Sequence, residues 1–403
     1  MFKKNENISY LNKCKICGNN NLQKVVELNE QYISATFVKS NKDSDLKNIK
    51  TPLTLSLCVD AGDKKSCGHL QLYEIINPDL LYRKYFYRSA TSDTMRKDLK
   101  EVVDSVLKIV KPSEQDIIID TGSNDCTLLN FYPNNLKLVG FEPAQNIDYI
   151  DEGKNIKVIP NYFNSREFTD NFKNKAKIIT SCAMFYDLET PKVFVKDIEN
   201  ILQDGGIWCV QISYLLLMIK NMNFYDICHE HLSYYSIYSF ERLIEQFNLK
   251  LFYAELNEVN GGSIRLYVCK KNCKKYNSEE LQKKLNNLRD EESRNNLSEI
   301  KTYSEFQKAI DVLRDKTTSY IDGVLKDGKI VLGLGASTKG NILLQHFGIG
   351  KDKVQFISER NPMKVGLRCV GTDIELISEE KARSLKPKVM IVLPWYFKKE
   401  IVN

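Results

Sequence analysis

Two of the four histidines in this chain stand two residues apart, in Cys228-His229-Glu230-His231-Leu232-Ser233-Tyr234. Imidazole is the side chain best matched to taking a proton near neutral pH, and a nearby carboxylate can set its tautomer and raise its basicity. Read as an extended segment, the run turns His229 and His231 one way and Glu230 the other. Proton abstraction is the first chemistry this suggests, with His231, Glu230 and His229 as its candidates. Two other readings stay open. Cys-His-x-His could offer three ligands to a metal, and both rings could be satisfied core histidines.

Sulfur gives the second constellation. Cys14-Lys15-Ile16-Cys17-Gly18 has the form of a metal knuckle, because two thiolates three positions apart can point at one ion while Gly18 permits the tight turn behind them. Its complement is Cys58 with Cys67-Gly68. Four thiolates, Cys14, Cys17, Cys58 and Cys67, around tetrahedral Zn²⁺ would fix a module too small to hold itself by apolar burial. With every ligand supplied by protein, such a zinc is structural. The eight-residue gap Val59–Ser66 leaves His69 as an alternative fourth ligand. A C-x-x-C redox pair and a chance pair of structural cysteines are the rivals, the former without a βαβ context.

The third is a loop. Asp120-Thr121-Gly122-Ser123-Asn124-Asp125-Cys126 follows a strand-like run and opens a helix at Thr127-Leu128-Leu129, the place where α/β sheets bind ligands. It is not G-x-G-x-x-G, so a pyrophosphate fits it poorly. It does match the shorter D/E-x-G-x-N-D loop of S-adenosylmethionine (SAM) methyltransferases, which makes Asp120, Gly122, Ser123, Asn124 and Asp125 candidates for cofactor binding. The next strand ends in Gly140-Phe141-Glu142-Pro143-Ala144, and an acid at that tip can accept both ribose hydroxyl protons. The plainer reading is a strand–turn–helix with Glu142 in solvent.

These residues need elements to hold them. Asp116–Asp120, Leu136–Phe141, Lys177–Ser181 and Ile207–Ile212 are short aliphatic runs separated by helical text, the pattern of a parallel α/β sheet. Leu80–Val110 reads as helical, with Val102, Val103, Val106, Leu107 and Val110 on one face and Pro112 as its stop. Ser239 reads as a helix N-cap before Phe240, Leu243, Ile244 and Phe247. The charged stretch 274–327 reads as connecting helices. A second α/β unit starts at Lys329 and includes Val389–Leu393. An Asn/Lys/Asp-rich loop is expected near Asn41–Lys50.

The 403 residues suggest two or three domains. A net charge of +6, dispersed along the chain, does not argue for nucleic acid, which would want a clustered basic face. The longest apolar run, near Leu215–Ile219, is too short for a bilayer, and the polar Met1–Asn5 start does not resemble a secretory signal. Eleven cysteines then read as metal ligands plus reduced thiols in a cytoplasmic protein.

Together the motifs resemble the three-domain sugar C-methyltransferases that act on carbon 3 of dTDP-linked 4-keto-deoxysugars. The likeness is carried by Cys14-x-x-Cys17-Gly18, Tyr85-Phe86-Tyr87-Arg88-Ser89, Gly122-Ser123-Asn124-Asp125, Gly140-Phe141-Glu142-Pro143-Ala144, His229-Glu230-His231-Leu232-Ser233-Tyr234, Gly261-Gly262-Ser263-Ile264-Arg265 and Gly333-Leu334-Gly335-Ala336-Ser337-Thr338-Lys339-Gly340-Asn341. It runs from about residue 14 to 397 in family order. Cys126 departs from a usual Gly, Cys228 from a frequent tyrosine, and Ser181–Asp187 lacks a common Ala-His pair.

The resemblance implies an α/β fold in three parts: a zinc module over 1–75, a Rossmann-like SAM methyltransferase domain over 76–273, and a helical connector with a Rossmann-like domain over 274–403. It implies SAM and structural zinc as cofactors and a nucleotide sugar as substrate, with no nucleic-acid or membrane partner. It also implies His231 as the base, Glu230 as its orienting or shuttling partner, and Tyr87 as a hydroxyl near the sugar. Lys339, with the glycine loop and Asn341, would hold the substrate's diphosphate. O-methylation of a sugar, or an NAD-dependent sugar oxidoreductase built on Gly333-Leu334-Gly335 with Ser358-Glu359, are the alternative activities.

Overall fold

The computed structural model describes residues 7–33, 37–39, 49–60, 62, 65–82 and 87–398. Met1–Asn5, Tyr85, Phe86, nearly all of the Asn41–Lys50 loop and part of the Val59–Ser66 gap lie outside them. Among the described residues no helix is long and apolar enough to cross a membrane.

The centre is a seven-stranded sheet. Its order is Leu249–Asn257, Ser263–Lys270, Leu202–Ser213, Ala176–Cys182, Ile117–Thr121, Lys137–Phe141, Lys157–Ile159. The five strands from Leu202–Ser213 outward are parallel, and Ser263–Lys270 runs antiparallel to both of its neighbours. Ile117 and Ile119 join a core with Val139, Phe141, Ile179 and Trp208, whereas Ile118 joins Leu138, Ile178, Ile207 and Cys209 on the other face. A sheet covered on both faces is why these strands read as unbroken aliphatic runs. The strand order reverses at Ile117–Thr121, so a crevice opens at its carboxyl end, where Gly122 follows.

The N-terminal part is richer in strand than its polar composition suggests. Leu22–Tyr32, Lys50–Cys58 and Leu70–Leu72 form an antiparallel sheet, which Ser233–Tyr234 completes from more than 150 residues away. The C-terminal six-stranded sheet runs Val389–Val392, Val331–Leu334, Phe356–Glu359, Glu375–Ser378, Arg368–Cys369, Phe37–Val38. Its first four strands are parallel, and its last comes from the N-terminal part. The connector is two helices, Glu279–Arg294 and Ile300–Lys326.

Three local expectations change. The helical text of Leu80–Val110 divides into Pro78–Tyr82 and Asp93–Ile109, because Ser92 caps the second helix by accepting from the Met95 amide. Ser236, not Ser239, is the N-cap of Ile237–Ile244. Ser239 is its reciprocal partner in a capping box, which frees Ile237 to begin the buried face. The His-Glu-His run is a turn rather than an extended segment: the His231 amide donates to the Cys228 carbonyl at 3.2 Å, and pairing with Leu70–Gln71 begins only at Ser233.

Candidate active site

The four cysteines converge. Sγ of Cys14 lies 3.4 Å from Cys67, that of Cys17 lies 3.5 Å from Cys58, and all four sulfurs lie within 4.8 Å of one another. Tetrahedral Zn²⁺ with Zn–S bonds of about 2.3 Å needs sulfurs about 3.8 Å apart, so the set fits the ion. His69 is not part of it. Its ring is fully buried 4.9 Å from that of Tyr235, and burial pushes it down to about 3.

At the crevice, Gly122 adopts φ +68, and both its amide and that of Ser123 donate to the Phe141 carbonyl. Glu142 takes the Asn124 amide on one carboxylate oxygen and the Ala144 amide on the other, each at 2.8 Å. Burial pushes this carboxyl above its ordinary value while the two amides oppose the shift. Each oxygen keeps a second lone pair, which is what two ribose hydroxyls require. The other loop residues make contacts within the protein. Asn124 and Asp125 brace the segment before the Asp93–Ile109 helix: their side chains accept from the Ser89 and Ala90 amides at 3.0 and 2.9 Å, and Asn124 also donates to the Tyr87 carbonyl. Asp120 accepts from the Thr180 hydroxyl at 2.6 Å, and burial pushes it up to about 7. Cys126 holds φ +67 with its thiol buried, so a side chain occupies a conformation that favours glycine.

The histidines part company at their turn. His229 is wholly buried and bonds the Thr51 backbone, in the manner of a core histidine, and burial pushes it down to about 4. His231 bonds the Asp226 carbonyl, and its ring lies 4.3 Å from that of Tyr186. Burial first, and the Lys339 charge second, push it down to about 3, so the imidazole is neutral. Donation to Asp226 fixes its tautomer and leaves the other ring nitrogen able to accept a proton. The carbonyl of Glu230 accepts from the Tyr82 hydroxyl at 3.2 Å.

Asp226 was not singled out from the sequence, yet it joins two parts of the molecule. Its carboxylate meets Lys339 Nζ at 2.5 Å and also accepts from the Tyr396 hydroxyl, over whose ring Lys339 lies at 4.2 Å. The lysine expected to meet a diphosphate pairs here with the residue whose carbonyl bonds His231. Asn341 is 3% exposed and donates to the Val370 carbonyl at 3.1 Å.

The C-terminal glycine loop repeats the geometry of the central one. Gly335, at φ +78, donates to the Ser358 carbonyl at 2.8 Å, as Gly122 donates to Phe141. Glu359 then takes the Ala336 amide at 2.9 Å and the Asn361 amide at 2.8 Å, as Glu142 takes Asn124 and Ala144. The chain therefore carries two strand–loop–helix crevices, each with an acid pinned at the tip of the neighbouring strand. The only sign of the second in the sequence is Ser358-Glu359 after the Gly-x-Gly.

A seven-stranded sheet with this order and a reversed strand, with an acid-tipped glycine crevice, defines a SAM-dependent methyltransferase. Three family models match in order: "Putative zinc binding domain" over residues 14–82, "Methyltransferase domain" over 93–254, and "C-methyltransferase C-terminal domain" over 258–403. The chain thus carries a zinc-binding module, a methyltransferase domain and a C-methyltransferase C-terminal domain in that order, with SAM and a structural zinc as cofactors. It is 25% identical to C-methyltransferase NovU of Streptomyces niveus over 396 residues, which is 98% of this chain and 92% of that protein. Among solved structures, a SAM-dependent methyltransferase from Clostridium acetobutylicum ATCC 824 shares 12% identity at a TM-score of 0.34, covering 45% of this chain and 93% of that one. The plantazolicin methyltransferase BpumL in complex with SAH shares 12% at a TM-score of 0.32, covering 43% and 83%.

The Glu142 carboxylate gives a direct test of the cofactor crevice. Hydrogen bonds to a charged group contribute about 1.5–3 kcal/mol, so Glu142→Ala should weaken SAM binding by about 10–150-fold. Titration calorimetry measures this, and unchanged affinity would place the adenosyl group elsewhere.

Proposed function

We propose that the protein transfers a methyl group from SAM to a carbon beside the ketone of a nucleotide-linked keto-sugar. The observation that carries this reading is His231: a neutral imidazole with its tautomer fixed by the Asp226 carbonyl, next to Glu230 on the same turn. Methylation at oxygen needs no base strong enough for a C–H bond, whereas a ketone acidifies its neighbouring carbon enough for an imidazole to serve. The pinned carboxylate of Glu359 supports the nucleotide portion, since it offers a nucleoside's hydroxyls the same acceptor that Glu142 offers to SAM.

In this reading the division 1–75, 76–273 and 274–403 is functional. The first part holds zinc through Cys14, Cys17, Cys58 and Cys67 and backs the histidine turn. The second binds SAM: Glu142 takes the ribose, Gly122 and Ser123 admit the ligand, and Asp120, Asn124 and Asp125 hold the loop in shape. The third takes the nucleotide, with Lys339 and Asn341 holding its glycine loop against the rest. His231 accepts the carbon-bound proton, Glu230 supports the imidazolium, and Tyr87 presents its hydroxyl to the sugar. His229 keeps the turn in place from within the core. SAM supplies an electrophilic methyl group on a sulfonium.

The test uses dTDP-4-keto-6-deoxyglucose with SAM carrying a ¹³C-labelled methyl group. The expected product keeps its ketone and has the label on a carbon next to it, read by a C-methyl rather than an O-methyl carbon chemical shift. A label on a sugar oxygen would sink the assignment.

A further inference from the structure

Asp187 lies on the wall that faces His231. It ends the short turn Phe185–Asp187, which follows the strand Ala176–Cys182. The Leu232 amide donates to the Tyr186 carbonyl at 2.9 Å, and the Tyr186 ring packs on that of His231, so this turn and the histidine turn are locked together. The Asp187 carboxyl interacts with Glu230, the Tyr82 hydroxyl and the Lys339 charge. Tyr82 bonds the carboxyl, yet Oδ1 is buried and has no hydrogen-bond partner among the described residues. The Lys339 charge offsets that burial only in part, since its ammonium is committed to Asp226 and Tyr396.

A buried anionic oxygen with neither donor nor counter-ion is strongly unfavourable, and a second carboxylate beside it adds repulsion. Both effects, burial first, push this carboxyl well above its ordinary value. The state that the surroundings favour is the neutral acid: the oxygen beside Tyr82 shares that hydroxyl's single proton with the Glu230 carbonyl, and Oδ1 is left to carry the acid's own proton, with no acceptor among the described residues.

We propose that Asp187 is a further catalytic residue, donating a hydrogen bond from Oδ1 to the substrate's carbonyl oxygen while that oxygen takes up the charge of the enolate. This rests on the keto-substrate reading above. The electrons balance without any added reagent. His231 takes the proton from carbon, the C–H pair becomes the enolate C=C, and the C=O π pair moves onto oxygen. The carbon then forms its bond to the methyl group, the methyl–sulfur bond breaks with its pair on sulfur, and the C=O bond returns. Asp187 keeps its proton throughout, and the proton on His231 passes to solvent. A donor held neutral in a low-dielectric site strengthens as charge develops opposite it, so its effect falls on the transition state.

Two measurements test this. The first needs no ligand: the infrared difference spectrum between native protein and Asp187→Asn at neutral pH should contain the C=O stretch of a protonated carboxylic acid. Its absence overturns the proposal. The second is methyl transfer to dTDP-4-keto-6-deoxyglucose by folded variants. Asp187→Asn retains an N–H donor and should keep kcat within about tenfold of native, whereas Asp187→Leu should lose about 10²–10³-fold in kcat with KM near native. A Leu variant with native kcat, or an Asn variant as slow as Leu, overturns the donor role. Native enzyme that neither methylates this sugar nor exchanges its α-protons with solvent fails the keto-sugar reading instead, and the infrared band separates the two failures.

Discussion

His231→Asn should lower methyl transfer by about 10²–10⁴-fold, the usual contribution of a general base, while leaving SAM affinity as in the native enzyme. Asn can still donate to the Asp226 carbonyl that holds the ring, so the turn keeps its shape and only the proton acceptor is lost. The same variant should lose exchange of the substrate's α-proton with deuterium from solvent. Exchange is measured with and without S-adenosylhomocysteine, because a filled cofactor crevice completes the site. The sign of the pH dependence also follows. Burial already holds the imidazole neutral far below the ordinary histidine range, so protonation of free enzyme should not slow kcat/KM as pH falls through 6.5. A loss centred at that ordinary value, or full turnover in His231→Asn, would assign the base elsewhere.

The second large effect is expected at the zinc. Cys67 leads directly into Leu70–Leu72, and that strand pairs with Ser233–Tyr234, two residues beyond His231. The metal therefore acts on the histidine turn through one strand. Structural zinc is tied directly to folding, with affinities of about 10–16 kcal/mol in small zinc modules. Native protein should contain about one zinc per chain. Cys58→Ser, or stripping by a strong chelator, should lower the melting temperature and reduce methyl transfer by about 10²-fold or more, as the turn loses its backing. SAM binding in the central crevice should suffer much less. Metal-free protein with native melting and turnover would show that the four thiols serve another purpose.

What the sequence disclosed follows the range of the interactions. The cofactor loop was legible because strand, loop, helix and acid are local, and the Glu142 contacts span only 18 residues or fewer. The cysteine cluster was legible from residue type, since thiols in that spacing have few other uses. Lys339 is marked by the resemblance in its glycine loop, but its contacts are not: Asp226 and Tyr396 are 170 residues apart in the chain, and no periodicity announces such a pair. Asn124 and Asp125 were found by motif, yet their side chains brace residues 87–90 rather than stand open. The strands of the first part were missed because a half-exposed antiparallel sheet mixes Lys, Gln and Glu among its apolar residues, as Leu22–Tyr32 does. Asp187 carries no signal in the sequence. Only its unpartnered oxygen beside Glu230 marks it.

The sheet opened by Leu22–Tyr32 is closed by Ser233–Tyr234, and Phe37–Val38 borders a sheet whose other strands come after Lys329. On the ribosome, this order has a cost in time. About 160 residues separate Leu72 from Ser233, and at about 5–20 residues per second their synthesis takes about 8–30 s. For that interval the nascent zinc sheet has an unpaired edge at Leu70–Leu72, the kind of edge that invites pairing with a wrong strand. Phe37–Val38 waits longer still, until Arg368–Cys369 has emerged. Residues of the zinc sheet are thus made long before their partners, and the newborn chain cannot complete the strand behind its histidine turn until Ser233–Tyr234 has left the exit tunnel.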